Sequence, residues 1–221
     1  MLHIEYGKYY HIYNRGINST NIFFSNADYI HFLDLMSIYL KPVADIYAFA
    51  LLKNHFHLAI RIKENSEIGF LDTKNAKSTN LDLKWKTAFP KNKEEKLKMV
   101  YSKKPVPEKM LQHLFSSYVK WINKKHQRTG ALLEHPFDRI LVNNNTYLRR
   151  LIIYIHNNPV KHGFCRNIVE YPWTSYLSML SIKPTKLSRQ KVVGWFDGEA
   201  NFIKTHKKDT NFDDIEYLLL E

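Results

Sequence analysis

With 221 residues, 44% hydrophobic and 14% aromatic, the chain has enough apolar material for one well-buried core, which excludes a mainly disordered protein. Lysine and arginine number 33 against 21 acidic residues, and this formal excess of +12 favours a polyanionic partner. A lone cysteine, Cys165, excludes an intramolecular disulfide and a cysteine-rich zinc site. The apolar runs are far short of a membrane span, so a soluble, cytoplasmic protein with no membrane partner is expected.

Tyr9-Tyr10-His11-Ile12-Tyr13 is rich in β-formers and predicts a strand ending at the turn signal Asn14-Arg15-Gly16. Ser25-Asn26-Ala27-Asp28 reads as a helix start, with a side-chain cap and an early acid to meet the dipole. Phe32, Leu35, Met36, Tyr39 and Leu40 then recur at helical spacing until Pro42 stops the run. Residues 46–52, short and apolar, predict a central strand, and Lys53-Asn54 connects it tightly to a strand over 55–62, completing a hairpin.

Residues 64–108 change character, with charged and small polar side chains punctuated by Pro90, Pro105 and Pro107. They read as an insertion or long loop with short helical pieces. Within it, residues 84–104 hold eight lysines against Glu94 and Glu95, a net of 8 − 2 = +6. Trp85, Phe89 and Tyr101 interleave with them, which makes Lys84, Lys86, Lys103 and Lys104 candidate nucleic-acid contacts; the alternative is a solvated charged face.

Met110, Leu111, Leu114, Tyr118 and Ile122 mark an amphipathic helix. Residues 137–142 predict another strand, and Asn143-Asn144-Asn145 cap a helix expected to end near Asn158, because Pro159 donates no backbone hydrogen bond. An aromatic extension, Tyr171-Pro172-Trp173-Thr174-Ser175-Tyr176, precedes a tail at 179–221. The predicted order of strand, helix, strand, strand, helix, strand matches the ferredoxin-like split βαβ motif of α+β proteins, followed by one further helix. The expected organisation is one domain over 1–178, carrying the 64–108 insertion, and then the tail.

Side chains alternate along a strand, so His55 and His57 point to one face while Phe56 points to the other. Two neutral imidazoles on rigid backbone suit a divalent metal; hydrogen-bonded structural histidines are the bland alternative. On the late helix, Leu148, Leu151, Ile152 and Ile155 form the stripe expected to face the sheet. Tyr147, Arg150, Tyr154 and Asn158 form a second stripe. A phenol is a poor nucleophile near neutral pH, because its ordinary pKa is about 10. A nearby cation favours the phenolate and polarises a phosphate under attack. Tyr147, two turns from Tyr154, is a rival nucleophile.

Three separated motifs resemble one family. They are Tyr10-His11-Ile12-Tyr13-Asn14-Arg15-Gly16, then Lys53-Asn54-His55-Phe56-His57-Leu58, then the run from Tyr154 to Gly163 with its Asn-Pro-Val-Lys-His-Gly ending. Together they resemble the HUH-type single-tyrosine transposases, and within them the REP-associated tyrosine transposase branch, which the Trp173-Thr174-Ser175-Tyr176 segment also resembles. The likeness covers residues 8–62 and 109–178. It implies that His55 and His57 ligate Mg²⁺ or Mn²⁺, that Tyr154 attacks single-stranded or hairpin DNA, and that Asn158 completes the metal site where many single-tyrosine transposases have Gln. Imidazoles alone would suit Zn²⁺ equally. The likeness further implies DNA contacts at Asn14 and Arg15, and Arg150 could steady a phosphate. The expected activity is a transposase or endonuclease that cleaves and rejoins DNA through a 5′-phosphotyrosine, near the nucleoid, as a monomer or homodimer.

Two other classes stay open: a non-catalytic single-strand binder derived from such an enzyme, and a metal-dependent phosphohydrolase. The signatures of P-loop NTPases, HExxH zinc proteases, GxSxG esterases and two-histidine phosphoesterases are absent.

Overall fold

In the computed structural model, which describes residues 3–75, 77–98, 103–134, 136–208, 212–213 and 215, the chain runs β1 (Tyr9–Arg15), α1 (Asn26–Leu40), β2 (Ala44–Leu51) and β3 (His55–Ile62). Next come β4 (Phe70–Leu71), α2 (Leu81–Lys84), β5 (Thr87–Ala88), α3 (Lys93–Lys98), α4 (Pro107–Lys125) and β6 (Asp138–Val142). The rest is helical: α5 (Asn145–Lys161), α6 (Tyr176–Leu180), α7 (Arg189–Trp195) and α8 (Glu199–His206). Contacts group the chain into two compact units, one of residues 1–7, 30–45 and 62–129, the other of 8–29, 46–61 and 130–221.

In the first unit, the apolar stripes of α1 and α4 are buried, with Phe32 and Tyr118 meeting edge to face at 5.0 Å. The Tyr39 hydroxyl, which could not be left alone at this depth, hydrogen-bonds Ser117 Oγ at 2.8 Å. The expected insertion is more ordered than a long loop: β4 and β5 pair antiparallel and Ile68 is fully buried. Lys84 lies over the Trp85 ring, and Lys104 donates to the Asn65 carbonyl while lying over Phe70; Lys86 and Lys103 are exposed. Tyr101 lies outside the described residues.

The second unit holds most of a four-stranded sheet of order β2-β3-β1-β6, in which β1 pairs antiparallel with both β3 and β6. With α1 and α4 as the crossovers, this is the split βαβ order of an α+β ferredoxin-like fold. Strand β1 extends through Asn14 and Arg15, which the sequence suggested as a turn; the turn begins at Gly16. A Cβ at Gly16 would collide with the Thr20 carbonyl, so only glycine permits this close return of the chain.

Strand β2 is an edge of the sheet rather than the central strand its apolar sequence suggested, and the segment after α5 covers its free side. Leu51 N–H donates to the Trp173 carbonyl, Ser175 N–H to the Phe49 carbonyl, and Phe49 N–H to Ser175 Oγ, all within 2.9–3.0 Å. Covering the edge satisfies backbone groups and lets an edge strand be as hydrophobic as an inner one.

The expected polar tail is also built into this unit. Val192 of α7, Phe196, and Phe202 and His206 of α8 are buried, the apolar ones in the same cluster as Leu148, Leu151, Ile152 and Ile155 of α5. Ala48, Ala50 and Ala59 belong to that cluster too, and such small side chains on the sheet permit close approach of α5. Pro159 does not end α5, which continues to Lys161. A proline in the last turn forfeits one hydrogen bond. Burial of Pro159 together with the Ile155 and Asn158 side chains offsets that loss, and His162 N–H still reaches the Asn158 carbonyl at 3.0 Å. Among the described residues no helix is long and apolar enough to cross a membrane.

Candidate active site

Each candidate metal-binding and nucleophilic side chain lies in the second unit. The β1–β3 register sets Arg15 opposite His55, Tyr13 opposite His57 and His11 opposite Ala59. Paired residues share a face, so His11, Tyr13, Arg15, His55 and His57 line one side of the sheet. Asn14 is opposite Phe56, on the other side.

Helix α5 begins where Asn144 Oδ1 accepts the Tyr147 N–H at 2.7 Å, a side-chain N-cap. Its apolar stripe joins the buried cluster, and Tyr154 and Asn158, one turn apart, are brought against the histidines. The Tyr154 ring lies edge-on to His57 at 5.6 Å and to His11 at 6.4 Å between centroids. Asn158 Oδ1 is 3.0 Å from His55 Nε2, and the His55 and His57 rings are 5.2 Å apart.

Burial governs the electrostatics. Desolvation lowers His11 to about 3, His55 to about 4 and His57 well below the ordinary value, so all three imidazoles are neutral at pH 7. Neutral imidazole is the form that ligates metals. Desolvation also raises the Tyr154 phenol to about 12, against an opposing effect of the neighbouring Asn158 amide. A phenol so placed needs a cation to become a nucleophile.

The donor set fits a hard divalent ion at one edge. His55 Nδ1 faces Asn54 Oδ1 at 2.8 Å while its Nε2 faces Asn158 Oδ1. A neutral ring has one proton to give, so with Nδ1–H on Asn54 the Nε2 lone pair confronts an amide oxygen. That is unfavourable alone, and turning the amide over would relieve it. A divalent cation held by both atoms would turn this contact of two lone pairs, 3.0 Å apart, into a favourable one. Asn158 Nδ2 is buried with no hydrogen-bond partner among the described residues. No three His, Cys, Asp or Glu side chains among those residues form a metal-binding group, so a cation here depends on the Asn158 amide and water as well as the imidazoles.

Of the sequence-derived candidates, His55, His57, Tyr154 and Asn158 converge, and Arg15 lies exposed on their face with its guanidinium paired to Glu134 at 2.9 Å. Asn14 does not join them: it is buried, donating to the Glu134 carbonyl and accepting from Arg15 N–H, which makes it a structural bracket for the β1 terminus. Arg150 instead helps line a cavity of about 340 Å³ with Arg149, Trp195 and Asn201. Lys84, Lys86, Lys103 and Lys104 lie in the first unit. Tyr147, the rival nucleophile, is half-buried one turn ahead of Arg150.

Four neighbours escaped the sequence reading. His11 Nε2 lies 2.9 Å from His57 Nδ1, the His162 ring 4.9 Å from that of His55, the Lys161 ammonium 5.9 Å from the Tyr154 ring centre, and the Phe212 ring 5.5 Å from Tyr154. The parity of His11 and Tyr13 on β1 was a usable signal for the first. The contact of Phe212 comes through tertiary packing alone.

No family model matches the chain, and no curated protein matches it either. Among solved structures, a REP-associated tyrosine transposase bound to a REP hairpin matches with a TM-score of 0.54 at 12% identity, over 83% of this chain and 87% of that one. The chain thus shares the α+β fold of that transposase.

Proposed function

We propose that this chain is a metal-assisted tyrosine nuclease and strand-transferase of single-stranded DNA, a transposase-like enzyme acting beside hairpins. The supporting observation is the grouping of the Tyr154 phenol with His55, His57 and Asn158 on one face of the sheet. The fold shared with a transposase bound to a hairpin, and the +12 charge, favour DNA as the phosphodiester.

Mg²⁺ or Mn²⁺ bound by His55, His57 and Asn158 would act as a Lewis acid on the scissile phosphate. The sheet holds both imidazoles, and α5 aims the phenol and the amide together. Tyr154 Oη attacks phosphorus, and the bond from phosphorus to the 3′ oxygen breaks. The products are a 5′-phosphotyrosine and a free 3′-OH, which takes up the proton the phenol gives up. Attack by another 3′-OH reverses the sequence and joins strands without an external energy source, since the covalent link retains the phosphodiester bond. Lys161, beside the phenol ring, adds positive potential where charge develops.

One observation favours the non-catalytic binder instead: Tyr154 is only 3% exposed and its hydroxyl is pushed up to about 12. Labelled hairpin-tailed single-stranded DNA incubated with Mg²⁺ or Mn²⁺ separates the two readings on a denaturing gel. A covalent adduct lost in Tyr154→Phe supports the nuclease. An adduct that survives the change moves the nucleophile elsewhere, and no adduct at any metal concentration leaves only a binder.

A further inference from the structure

His11 is fully buried on β1, and its Nε2 lies 2.9 Å from Nδ1 of His57. Its other nitrogen, Nδ1, is buried with no hydrogen-bond partner among the described residues. We infer that His11 is a positioning residue: it accepts the Nδ1–H of His57 and so keeps the His57 Nε2 lone pair available to a divalent cation. The inference rests on the metal-assisted reading above and assigns a role to a residue outside its ligand set.

A neutral imidazole carries one proton, on one nitrogen or the other. The two ring nitrogens point in nearly opposite directions, so a His57 ring that turns Nδ1 to His11 turns Nε2 away from it. Were His11 the donor, the proton of His57 would reside on Nε2 and block ligation there. Metal-binding histidines usually settle their tautomer by donating the second N–H to a carboxylate, a carbonyl or water, and losing that partner costs ten- to a hundredfold in affinity. Neither His11 nor His57 hydrogen-bonds to a carboxylate among the described residues, and the β1–β3 register supplies an imidazole in that place. An imidazole acceptor brings no negative charge, so more of the ion's charge remains for a phosphodiester. The rings lie 5.1 Å apart at 33°, held by two paired strands, and neither side chain needs to move for the bond to form.

The full chain is titrated with Mn²⁺ by calorimetry and electron paramagnetic resonance as wild type, His57→Ala, His11→Leu and His11→Gln. Thermal unfolding checks that each variant is folded. His57→Ala should abolish binding. His11→Leu should lose ten- to a hundredfold in affinity, and His11→Gln, whose amide oxygen can take the Nδ1–H, should recover most of it. If wild type binds and His57→Ala does not, while His11→Leu binds like wild type, the inference is overturned and the metal site survives. If wild type binds no Mn²⁺, both fall together. Should His11→Leu not fold, nitrogen-15 spectra of the Mg²⁺-saturated wild type decide: His57 protonated on Nδ1 supports the role, and protonation on Nε2 overturns it.

Discussion

Ser175→Ala tests how the β2 edge and the back of α5 are fastened together. The Ser175 side chain is fully buried, and its oxygen accepts the Phe49 N–H at 2.9 Å and meets His156 Nε2 at 2.6 Å. His156 in turn hydrogen-bonds His206 of α8 at 2.9 Å through Nδ1, and His206 Nδ1 donates to the Phe202 carbonyl at 2.8 Å. Alanine keeps the backbone pairing of residue 175 but strands two buried polar groups, the Phe49 N–H and His156 Nε2. Each stranded group costs about 1–3 kcal/mol, so the variant should lose about 2–6 kcal/mol. At about 2–4 °C per kcal/mol for a chain of this size, Tm should fall by at least about 4 °C. Urea unfolding followed by circular dichroism measures the loss, and Ser181→Ala, whose hydroxyl serves one exposed N–H, is the control expected within about 0.5 kcal/mol of wild type. A loss below about 1 kcal/mol for Ser175→Ala would mean that solvent replaces the hydroxyl and that the network is not sealed from water.

Acid should weaken the metal-free protein. Burial lowers His11 to about 3 and His55 and His206 to about 4, and lowers His57 and His156 well below 6.5, near which all five titrate when unfolded. The unfolded chain therefore binds more protons, so stability is complete above pH 6.5 and falls as pH drops through it, by about 1 kcal/mol per histidine at pH 5.5; a Tm that is flat between pH 7.5 and 5.5 would contradict this. Gly16→Ala should destabilise by about 1–3 kcal/mol, because its methyl meets the Thr20 carbonyl, and wild-type unfolding midpoints would show that the return of the chain is looser than described. Arg15→Ala should change stability by no more than about 1 kcal/mol, since its ion pair with Glu134 is exposed, while lowering the salt slope of hairpin-DNA binding by about 1. An unchanged slope would count against Arg15 as a proposed DNA contact.

The face of His55 and His57, the stripe of Tyr154 and Asn158, and the α+β order were legible because each rests on a local period of two or three to four residues. His11 was half legible: strand parity places it on the face of His55 and His57, but only the pairing register, which a sequence does not declare, brings it to His57. Asn14 was half legible: the Asn-Arg-Gly string signals a turn, whereas the asparagine belongs to β1 and braces the strand end through the Glu134 carbonyl. Helices α7 and α8 were invisible because they are short and their burial depends on partners more than 30 residues away in sequence, among them His156 and the α5 stripe. Pro159 misled for the complementary reason: a local rule for helix ends gave way to tertiary burial.

The three alanines under α5 act as a gauge. Their methyl groups decide how far the helix stands off the strands, and the reach from phenol to imidazole inherits that height. Valine at residue 48, 50 or 59 would lift the Tyr154 phenol from the imidazoles, so the proposed activity is sensitive to positions that carry none of its chemistry.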